Sequence, residues 1–406
     1  KTVTLTGNID LDGLKWEPIG KANLQQIFKG VFDGGGYEIH NLRSEVISTG
    51  EAYSGLFGAI YQAQVTRVVL AEDCEIRTSY YGGGVVAYAQ ESEIVSCENR
   101  ASVSFEGPAG YVGGIAGYVV STSSIDRCEN LGIVTGTVQP SDNYASCLVY
   151  AGGIAGVNQE SAIINSSNHA VVAVEALPEY DSCAGGIVGY NSGSSTFIAN
   201  CYNVAGVQLS GSGFAGGILS YTDNADIRVA NCYNIGTVSG VPGKSYPVVP
   251  ILSADSEDCY YLMNCVEGEG SYAGTALTVD YMKSTAFAAR LNDWSKTNNS
   301  SEIGWQTLYW KIEDAENDGY PVFTDQDPGY TGVESVASGV RIYPTTVSGE
   351  LFVCGAESPI YICNLAGHIV SIIDPTEEIT VVDMSRLVAG GYLLRTGGKV
   401  VRLVKL

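Results

Sequence analysis

Short apolar runs recur along the chain, and each run ends at glycine or at a small polar residue. The most regular run follows a glycine pair (Ser-Gly in the first unit) and reads Gly-Gly-Ile-Ala-Gly or a close variant. The glycine that precedes the aliphatic residue recurs at intervals of 29 to 39 residues: Gly55, Gly84, Gly114, Gly153, Gly186 and Gly217. Short apolar runs between turn residues are typical of strands. The spacing therefore predicts an internal repeat of about 30 residues.

A second motif follows the glycines in each unit. It places an asparagine two residues after a cysteine or serine: Cys97 with Asn99, Cys128 with Asn130, Ser166 with Asn168, Cys201 with Asn203, and Cys232 with Asn234. A unit of two or three short strands cannot bury its own apolar face, so such units stack and share one core. The two motifs together predict a β-solenoid.

The motif residues leave alternatives open. The glycine pair either turns a corner with positive φ or lets the neighbouring coil approach closely. The asparagine either adopts the left-handed conformation at the next corner or stacks on its neighbours as an amide ladder. The cysteines are predicted to pack as small apolar residues. Disulfides between neighbouring rungs (Cys97 with Cys128, Cys201 with Cys232) are the alternative.

After the last repeat the pattern changes to a helical period. Residues 278–291 place Met282, Phe287 and Leu291 on one apolar side, which predicts an amphipathic helix. We expect this helix to cover the open end of the last coil, since exposed strand edges promote aggregation.

The repeat units resemble the GLUG-type repeat of bacterial surface proteins. Residues 184–191 (AGGIVGYN), 200–203 (NCYN) and 231–240 (NCYNIGTVSG) carry the resemblance. Residues 3–20 and 28–42 resemble the first turns of right-handed parallel β-helices in cell-surface proteins of the Bacteroidetes type. The resemblance implies a right-handed parallel β-helix exposed outside the cell.

The C-terminal segment has a different character. From Arg341 to Leu406 it carries six basic and six acidic residues, and its short apolar runs alternate with turn residues, as in a small β-sandwich. Residues 340–351, 362–370 and 382–406 resemble the C-terminal sorting domain of the type IX secretion pathway. One departure is that Thr345 and Thr346 follow Tyr343-Pro344, where the family commonly has Tyr-Pro-Asn-Pro. The resemblance implies export, through residues 339–406, to the exterior or outer surface of a Gram-negative bacterium.

The predicted fold class is all-β: a right-handed parallel β-helix (β-solenoid) with a short capping helix, followed by a small Ig-like β-sandwich. The predicted parts are the N-terminal coils (1–50), the repeat solenoid of about 30-residue units (51–275), a C-terminal cap with the helix (276–323), a linker (324–338) and the β-sandwich of sorting type (339–406).

Charge excludes some partners. The 406 residues include 44 Asp and Glu against 21 Lys and Arg, a net charge of −23, which argues against nucleic acid and against an anionic membrane surface. No run approaches the length of a membrane span, so no direct membrane insertion is expected. The 11 cysteines show no CxxC spacing and only three histidines are present, which argues against a zinc site.

Candidate chemistry is sparse. Asp314, Glu316 and Asp318 resemble the start of a calcium loop, although a polar turn before Tyr320 is the favoured interpretation. No cofactor is therefore predicted, with Ca²⁺ kept as the alternative. Glu98 and Glu129 occupy equivalent rungs, which indicates an acidic stripe on the surface rather than the clustered acid and base of a glycosidase.

Binding residues are suggested by the aromatic pattern. All four tryptophans lie outside the repeats, so a sugar-stacking platform on the coils would use tyrosines: Tyr80, Tyr81, Tyr118, Tyr150 or Tyr190. The favoured interpretation, however, is that these tyrosines only cover corners of the solenoid. The longest insertion, 137–150, makes Asp142, Asn143 and Tyr144 the candidate ligand-facing loop, because insertions in repeat proteins map to one face.

The leading functional hypothesis is an exported, non-enzymatic surface protein of adhesin type. It would bind a glycan or a host or bacterial surface protein along a rigid rod, where many weak contacts add up through avidity. The first alternative is a carbohydrate-active β-helix enzyme, a polysaccharide lyase or glycosidase. The second alternative is a structural stalk.

Overall fold

The structure is a computed structural model, and two compact units make up the chain, Lys1–Gly332 and Val333–Leu406. It describes residues 1–21, 26–47, 51–193, 196–224, 227–250, 254–266, 272–298, 306–313, 315–328, 341–343, 346–347, 349–356, 358–364, 369–375, 379–396 and 399–405. Most of the predicted linker, 324–338, lies outside the described residues.

The first unit is a β-solenoid of about eight turns, as the repeat predicts. In the described part of the chain, five parallel sheets run along it, and a full coil passes through sheets I to V in that order. Sheet I contains Thr2–Thr4, Val31–Asp33, Gln64–Thr66, Glu93–Val95, Ser124–Asp126, Ala162–Ile164, Phe197–Ala199, Ile227–Ala230 and Ala254–Glu257. Sheet II contains Ile9–Asp10, Glu38–His40, Val69–Leu70, Glu98–Asn99, Glu129–Asn130, Ser167–Asn168, Tyr202–Asn203, Tyr233–Asn234, Tyr260–Leu262 and Thr275–Leu277.

The other three sheets complete each coil. Sheet III contains Lys15–Trp16, Arg43–Val46, Glu75–Thr78, Ser102–Gly107, Val134–Val138, Val172–Glu175, Val207–Ser210 and Val238–Ser239. Sheet IV contains Tyr53–Ser54, Tyr81–Gly83, Ala109–Gly113, Leu148–Gly152, Ser182–Gly185, Gly213–Gly216 and Ser245–Tyr246. Sheet V contains Phe57–Tyr61, Val86–Gln90, Ala116–Val120, Ala155–Gln159, Val188–Ser192 and Leu219–Thr222.

Aliphatic side chains fill the interior, because alternate residues of each short strand point inward. Phe57, Ile76, Ile94, Ile115 and Ile154 are fully buried in one continuous cluster. Equivalent residues pair directly across coils, for example Ile94 with Ile125 and Ile125 with Ile163. Every position in the repeat therefore forms a row along the solenoid axis.

One interior row is polar and consists of the motif asparagines. Asn99, Asn130, Asn168 and Asn203 each donate from Nδ2 to Oδ1 of the asparagine in the next coil, at 2.8–2.9 Å. Each Nδ2 also donates to the carbonyl two residues later, as Asn168 does to Ala170 at 2.8 Å. All of these asparagines are buried. Of the two interpretations the sequence left open, the amide ladder is the one found.

Each coil turns a corner at a residue in the left-handed backbone conformation, three residues before the ladder asparagine. Positive φ occurs at Ser96, Arg127, Asn165, Asn200 and Asn231, each directly before the cysteine or serine of the motif. Asparagine tolerates this conformation because its short polar side chain bonds locally. The two asparagines of the Asn-Cys-Tyr-Asn motif thus have separate tasks, one at the corner and one in the buried ladder.

The glycine pairs serve close approach and not positive φ. A Cβ on Gly114, Gly153 or Gly186 would collide with a ladder asparagine and with the carbonyl of the next coil. None of these three glycines has positive φ. The ladder can pack against the next corner only because the side chain there is a hydrogen atom.

The motif cysteines are buried and carry free thiols, so they pack as the sequence predicts and form no disulfides. The backbone N–H groups of Cys97 and Cys201 each donate a hydrogen bond to the Sγ of the motif cysteine in the next coil, at 3.4 Å. Ser166 takes the same place, with Cys128 N donating to its Oγ at 3.2 Å.

The predicted helix is present but divided, and it lies elsewhere than expected. It consists of α1 (Val279–Met282) and α2 (Thr285–Asn298). Trp294 of α2 packs on Ile164, Ala199 and Ala230, which face outward from sheet I in successive coils. The helix therefore runs along the flank of the last coils. The physical reason is that the outward row of sheet I, polar at Asp126, becomes apolar from Ile164 onward.

The corner asparagines hold both α2 and the segment that follows it on this flank. The Nδ2 groups of Asn165, Asn200 and Asn231 donate to the carbonyls of Gln306, Leu308 and Leu291 respectively, at 3.0–3.1 Å. The segment then forms an antiparallel pair, Tyr309–Lys311 with Val322–Thr324, around a 3-10 turn at Asn317–Gly319. No helix within the described residues is long and apolar enough to cross a membrane.

The second unit consists of two small sheets. One contains Arg341–Tyr343, Glu350–Cys354 and Ile379–Asp383, and the other contains Thr346–Val347, Lys399–Lys405, Gly390–Thr396, Ile360–Asn364 and Ile369–Ile373. The pairs are antiparallel except Thr346–Val347 with Val404–Lys405. Leu351 and Val382 of the first sheet share a core with Ile362 and Leu394 of the second, which is sandwich packing.

The ladder predicts a large cost for Asn168→Ala. The substitution leaves the amide of Asn130 and the carbonyl oxygen of Asn203 without their buried partner, so we expect the free energy of unfolding of the solenoid to fall by about 2 to 4 kcal/mol in urea denaturation. Asn143→Ala, at an exposed site, is the matched control and should stay within about 0.5 kcal/mol. Equal effects of the two variants would contradict the assigned role of the ladder.

Candidate functional site

Two rows of half-exposed aromatic side chains follow the solenoid axis on sheets IV and V. The row on sheet IV pairs successive coils in the order Tyr53, Tyr81, Tyr111, Tyr150, Cys183, Phe214. The row on sheet V has the order Ala59, Tyr88, Tyr118, Val157, Tyr190, Tyr221. Both rows result from the register of the coils, which places the same repeat position above itself in every turn.

The rings stack within each row. Ring centroids are 4.8 Å apart for Tyr53–Tyr81 and 5.2 Å for Tyr81–Tyr111 on sheet IV. On sheet V the Tyr88–Tyr118 centroids are 5.8 Å apart, with the ring planes inclined by 23°. These separations follow the spacing of strands in a sheet, about 4.8 Å, because one ring is attached to each coil.

The two rows also touch each other across the corner between the sheets. Tyr111 and Tyr118 meet edge to face at 5.1 Å, and Tyr81 and Tyr88 at 5.7 Å. Outward side chains of neighbouring sheets come into contact only where the corner is concave on the outside. The rings therefore line a shallow concave corner, and we call Tyr53, Tyr80, Tyr81, Tyr88, Tyr111, Tyr118, Tyr150, Tyr190, Phe214 and Tyr221 the aromatic strip.

The strip continues past the coils that lack one of the two rings. Sheet V has Val157 where sheet IV has Tyr150, and sheet IV has Cys183 where sheet V has Tyr190. Tyr150 and Tyr190 bridge this gap, with stacked centroids 4.6 Å apart. Phe214 and Tyr221 then stack at 4.6 Å, and Lys244 Nζ lies 4.7 Å from the Phe214 ring.

Hydroxyl groups along the strip are held neutral and oriented. Burial raises the pKa of Tyr118 to about 12, and it raises the pKa values of Tyr53 and Tyr190 as well. Their hydroxyls donate to Gln159 Oε1 at 2.5 Å, Glu51 Oε2 at 2.6 Å and Asp223 Oδ2 at 2.8 Å respectively. Because most ring faces are covered by other rings, the strip presents ring edges, hydroxyls and carboxylates.

The structure brings together all five tyrosines that the sequence singled out, Tyr80, Tyr81, Tyr118, Tyr150 and Tyr190. Sequence reasoning missed the other members: Tyr53, Tyr88, Tyr111, Phe214 and Tyr221. In most coils they lie three residues before or four residues after the second glycine of the pair. An alignment of the units on their glycine pairs would therefore reveal these positions from the sequence alone.

The insertion lies near one side of the strip. Asp142 and Asn143 are exposed, whereas Tyr144 packs against the hydrophobic core. Tyr144 is also close enough to Tyr80 to contribute to the raised pKa of that phenol. The candidate loop is thus divided, with one structural residue and two that face solvent.

Two of the three calcium candidates, Glu316 and Asp318, lie next to lysines. Asp318 Oδ2 accepts from Lys283 Nζ at 2.7 Å, and Glu316 lies 3.6 Å from Lys311 Nζ, while Asp314 lies outside the described residues. No group of three or more potential ligands occurs within the described ranges. Ca²⁺ binding by Asp314, Glu316 and Asp318 stays an alternative prediction.

A charged cluster covers the outer face of sheet II: Glu38, His40, Asp73, Glu98, Arg100, Glu129 and His169. Arg100 donates to Glu98 at 2.5 Å and to Glu38 at 2.8 Å. His169 Nε2 lies 3.1 Å from Glu129 Oε1. Burial and the nearby Glu98 charge raise the pKa of Glu129 to about 7, and burial lowers the pKa of His169 to about 4. Between these values both groups are neutral, so the carboxyl can donate to the imidazole.

Several solved structures are similar to the chain, among them these two. One is a putative immunoglobulin A1 protease from Bacteroides ovatus, 18% identical, with a TM-score of 0.44, where the likeness covers 80% of this chain and 86% of that one. The other is an IgA1 protease, 15% identical, with a TM-score of 0.41 over 64% of this chain and 20% of that one. No family model and no curated protein matches the chain. Likeness of this degree carries no information about activity.

The cluster predicts a stability that depends on pH. A raised carboxyl pKa contributes stability that is present at acidic pH and is lost as pH rises through about 7. We therefore expect Glu129→Gln to gain thermal stability relative to the unmodified protein between about pH 5 and about pH 8. Exposed Glu160→Gln is the control. A difference in melting temperature that does not change over this range would contradict the raised pKa of Glu129.

Proposed function

We propose that the chain is a non-enzymatic binding protein of the cell exterior, which holds an extended, hydroxyl-rich glycan along the aromatic strip. The observation that carries the proposal is the continuity of the strip from Tyr53 to Tyr221. A ligand that follows it gains a similar set of contacts at each coil. Weak contacts repeated along one chain combine through effective concentration.

The chemistry of the strip favours a glycan over the alternatives. Ring edges bring apolar C–H surface, while the phenols and the carboxylates of Glu51 and Asp223 bring hydrogen-bond partners. A polyanion would meet these carboxylates and the overall charge of −23. An extended β-linked sugar chain advances per sugar by a distance similar to that between strands, so it can stay in register with the rings. The ligand class is therefore a neutral glycan, with a surface protein as the second partner to test.

The proposal includes export. The GLUG-type resemblance and the resemblance of residues 339–406 to a type IX sorting domain both suggest display on, or release from, the surface of a Gram-negative bacterium. The sandwich packing of the second unit is compatible with this assignment. Interaction with the export machinery through 339–406 is part of the proposal.

One observation favours the carbohydrate-active enzyme as the second candidate. Glu129, whose pKa is raised to about 7, follows Glu98 directly in register on sheet II, so one carboxyl is placed to act as an acid beside a second carboxyl that pairs with Arg100. This pair lies on a different sheet from the strip. Release of reducing ends from a glycan, lost in Glu129→Gln, would favour this candidate over simple binding.

Truncation of a central ring tests the strip. We expect Tyr118→Ala to weaken the binding of a neutral β-linked hexasaccharide about tenfold in calorimetric titration, since it interrupts the contacts of Tyr81, Tyr88 and Tyr111. Tyr37→Ala, an exposed tyrosine outside the strip, is the control and should bind as before. The proposal is wrong if the protein binds no neutral glycan on an array or if both variants lose affinity equally.

A further inference from the structure

A cleft lies at the end of the strip where the sheet IV row begins. It has a volume of about 740 Å³ and is lined by described residues of the first two coils, among them Trp16, Pro18 and Tyr53. Ligand sites of proteins commonly enclose about 300 to 1,000 Å³ and combine apolar walls with a few polar groups. The cleft fits this description in size, and five of the eleven described residues that line it are charged.

Tyr53 offers the cleft a ring face at the start of the sheet IV row. Among the described residues, its ring contacts the rings of Tyr81 and Tyr88, and both belong to the next coil. Tyr81 covers one face by stacking at 4.8 Å. The opposite face points toward the first coil, where the cleft lies. A flat ligand can therefore stack on Tyr53 in continuation of the row.

The polar groups of the cleft have mixed charge. Glu17, Glu45 and Glu51 line it together with Lys15 and Lys21. Lys21 pairs with Glu17 at 2.6 Å, and Glu51 accepts the Tyr53 hydroxyl at 2.6 Å. The carboxylates disfavour an anionic ligand, and the lysines disfavour a cationic one. A neutral ring with many hydroxyls can use both kinds of group as hydrogen-bond partners.

The indole of Trp16 is fixed in place. Its Nε1 donates to the carbonyl of Leu56 at 3.0 Å, across forty residues of sequence, so the ring enters the cleft wall in one orientation. Aromatic rings that are oriented before binding lose little side-chain entropy when a ligand stacks on them. Trp16 and Tyr53 together supply the apolar surfaces of a site for one sugar-sized ring.

We infer that this cleft is a terminal subsite, which binds the end sugar of a neutral glycan whose following sugars lie along the strip. The inference rests on the proposed glycan binding and adds the position at which the chain end lies. A disaccharide is then enough to occupy the cleft, whereas affinity beyond that grows with chain length through the strip.

The test compares short and long chains of neutral β-linked sugars. Disaccharides and hexasaccharides of glucose, N-acetylglucosamine, xylose and mannose are titrated with the full chain, and indole fluorescence is recorded. We expect a disaccharide of at least one series to bind and to change the fluorescence. Trp16→Ala and the milder Glu45→Gln should each weaken it about tenfold. Glu106→Gln, an exposed glutamate of sheet III, is the matched control.

The outcomes separate the subsite from the strip. Hexasaccharide binding that Tyr118→Ala weakens, with no disaccharide binding and no effect of Trp16→Ala or Glu45→Gln, overturns the subsite and leaves the proposed function intact. Disaccharide binding that depends on Trp16, with no gain from a longer chain, supports the subsite and overturns the strip. Failure of every neutral oligosaccharide to bind overturns both.

Discussion

The buried amide ladder is the constraint on which the rest of the solenoid depends. Each ladder asparagine is satisfied only when the next coil places its own asparagine within hydrogen-bond distance, and a buried amide without a partner is costly. A slip of one residue in any coil would break two such bonds and would turn inward side chains outward. The ladder therefore fixes the register between coils, together with a second row of amide bonds that joins Asn165, Asn200 and Asn231. It also explains the glycine pairs, because only hydrogen fits between the amide and the next corner.

The aromatic strip is a consequence of that register. Once the coils are aligned by the ladder, tyrosines at equal offsets from the glycines must form rows, and the concave corner brings the two rows into contact. The same stacking that stabilises the strip covers most ring faces. A ligand along the strip thus meets edges and hydroxyls, whereas the cleft at the end of the strip also offers a ring face of Tyr53. This distinction divides the candidate site into a long weak surface and one compact cleft.

The sequence predicts the repeat, the solenoid and the packed free cysteines, because these follow from spacing and from the small volume of the motif residues. It leaves the roles of the asparagines and glycines open, because a corner residue and a ladder or close-approach residue show the same local pattern. Only the contacts with the neighbouring coil distinguish the two roles. The flank position of α2 could not be read from its own amphipathic pattern. It depends on Ile164, Ala199 and Ala230 forming one outward row, which requires the register of three coils. For the same reason the five tyrosines named from sequence are half of the strip, and the cleft at Trp16 was not foreseen.

The gaps in the strip bear on its purpose. If the rings only covered corners, the presence of Val157 and Cys183 at positions that hold tyrosine in other coils would need no compensation. Each smaller residue would affect only its own row. Instead Tyr150 turns from its own row toward Tyr190, and the aromatic contact passes from sheet IV to sheet V without a break. Continuity along the axis matters little for the stability of any single coil, since each ring gains its stacking energy from immediate neighbours. It matters for a ligand that spans several coils, because each further contact along the strip adds to the total binding free energy.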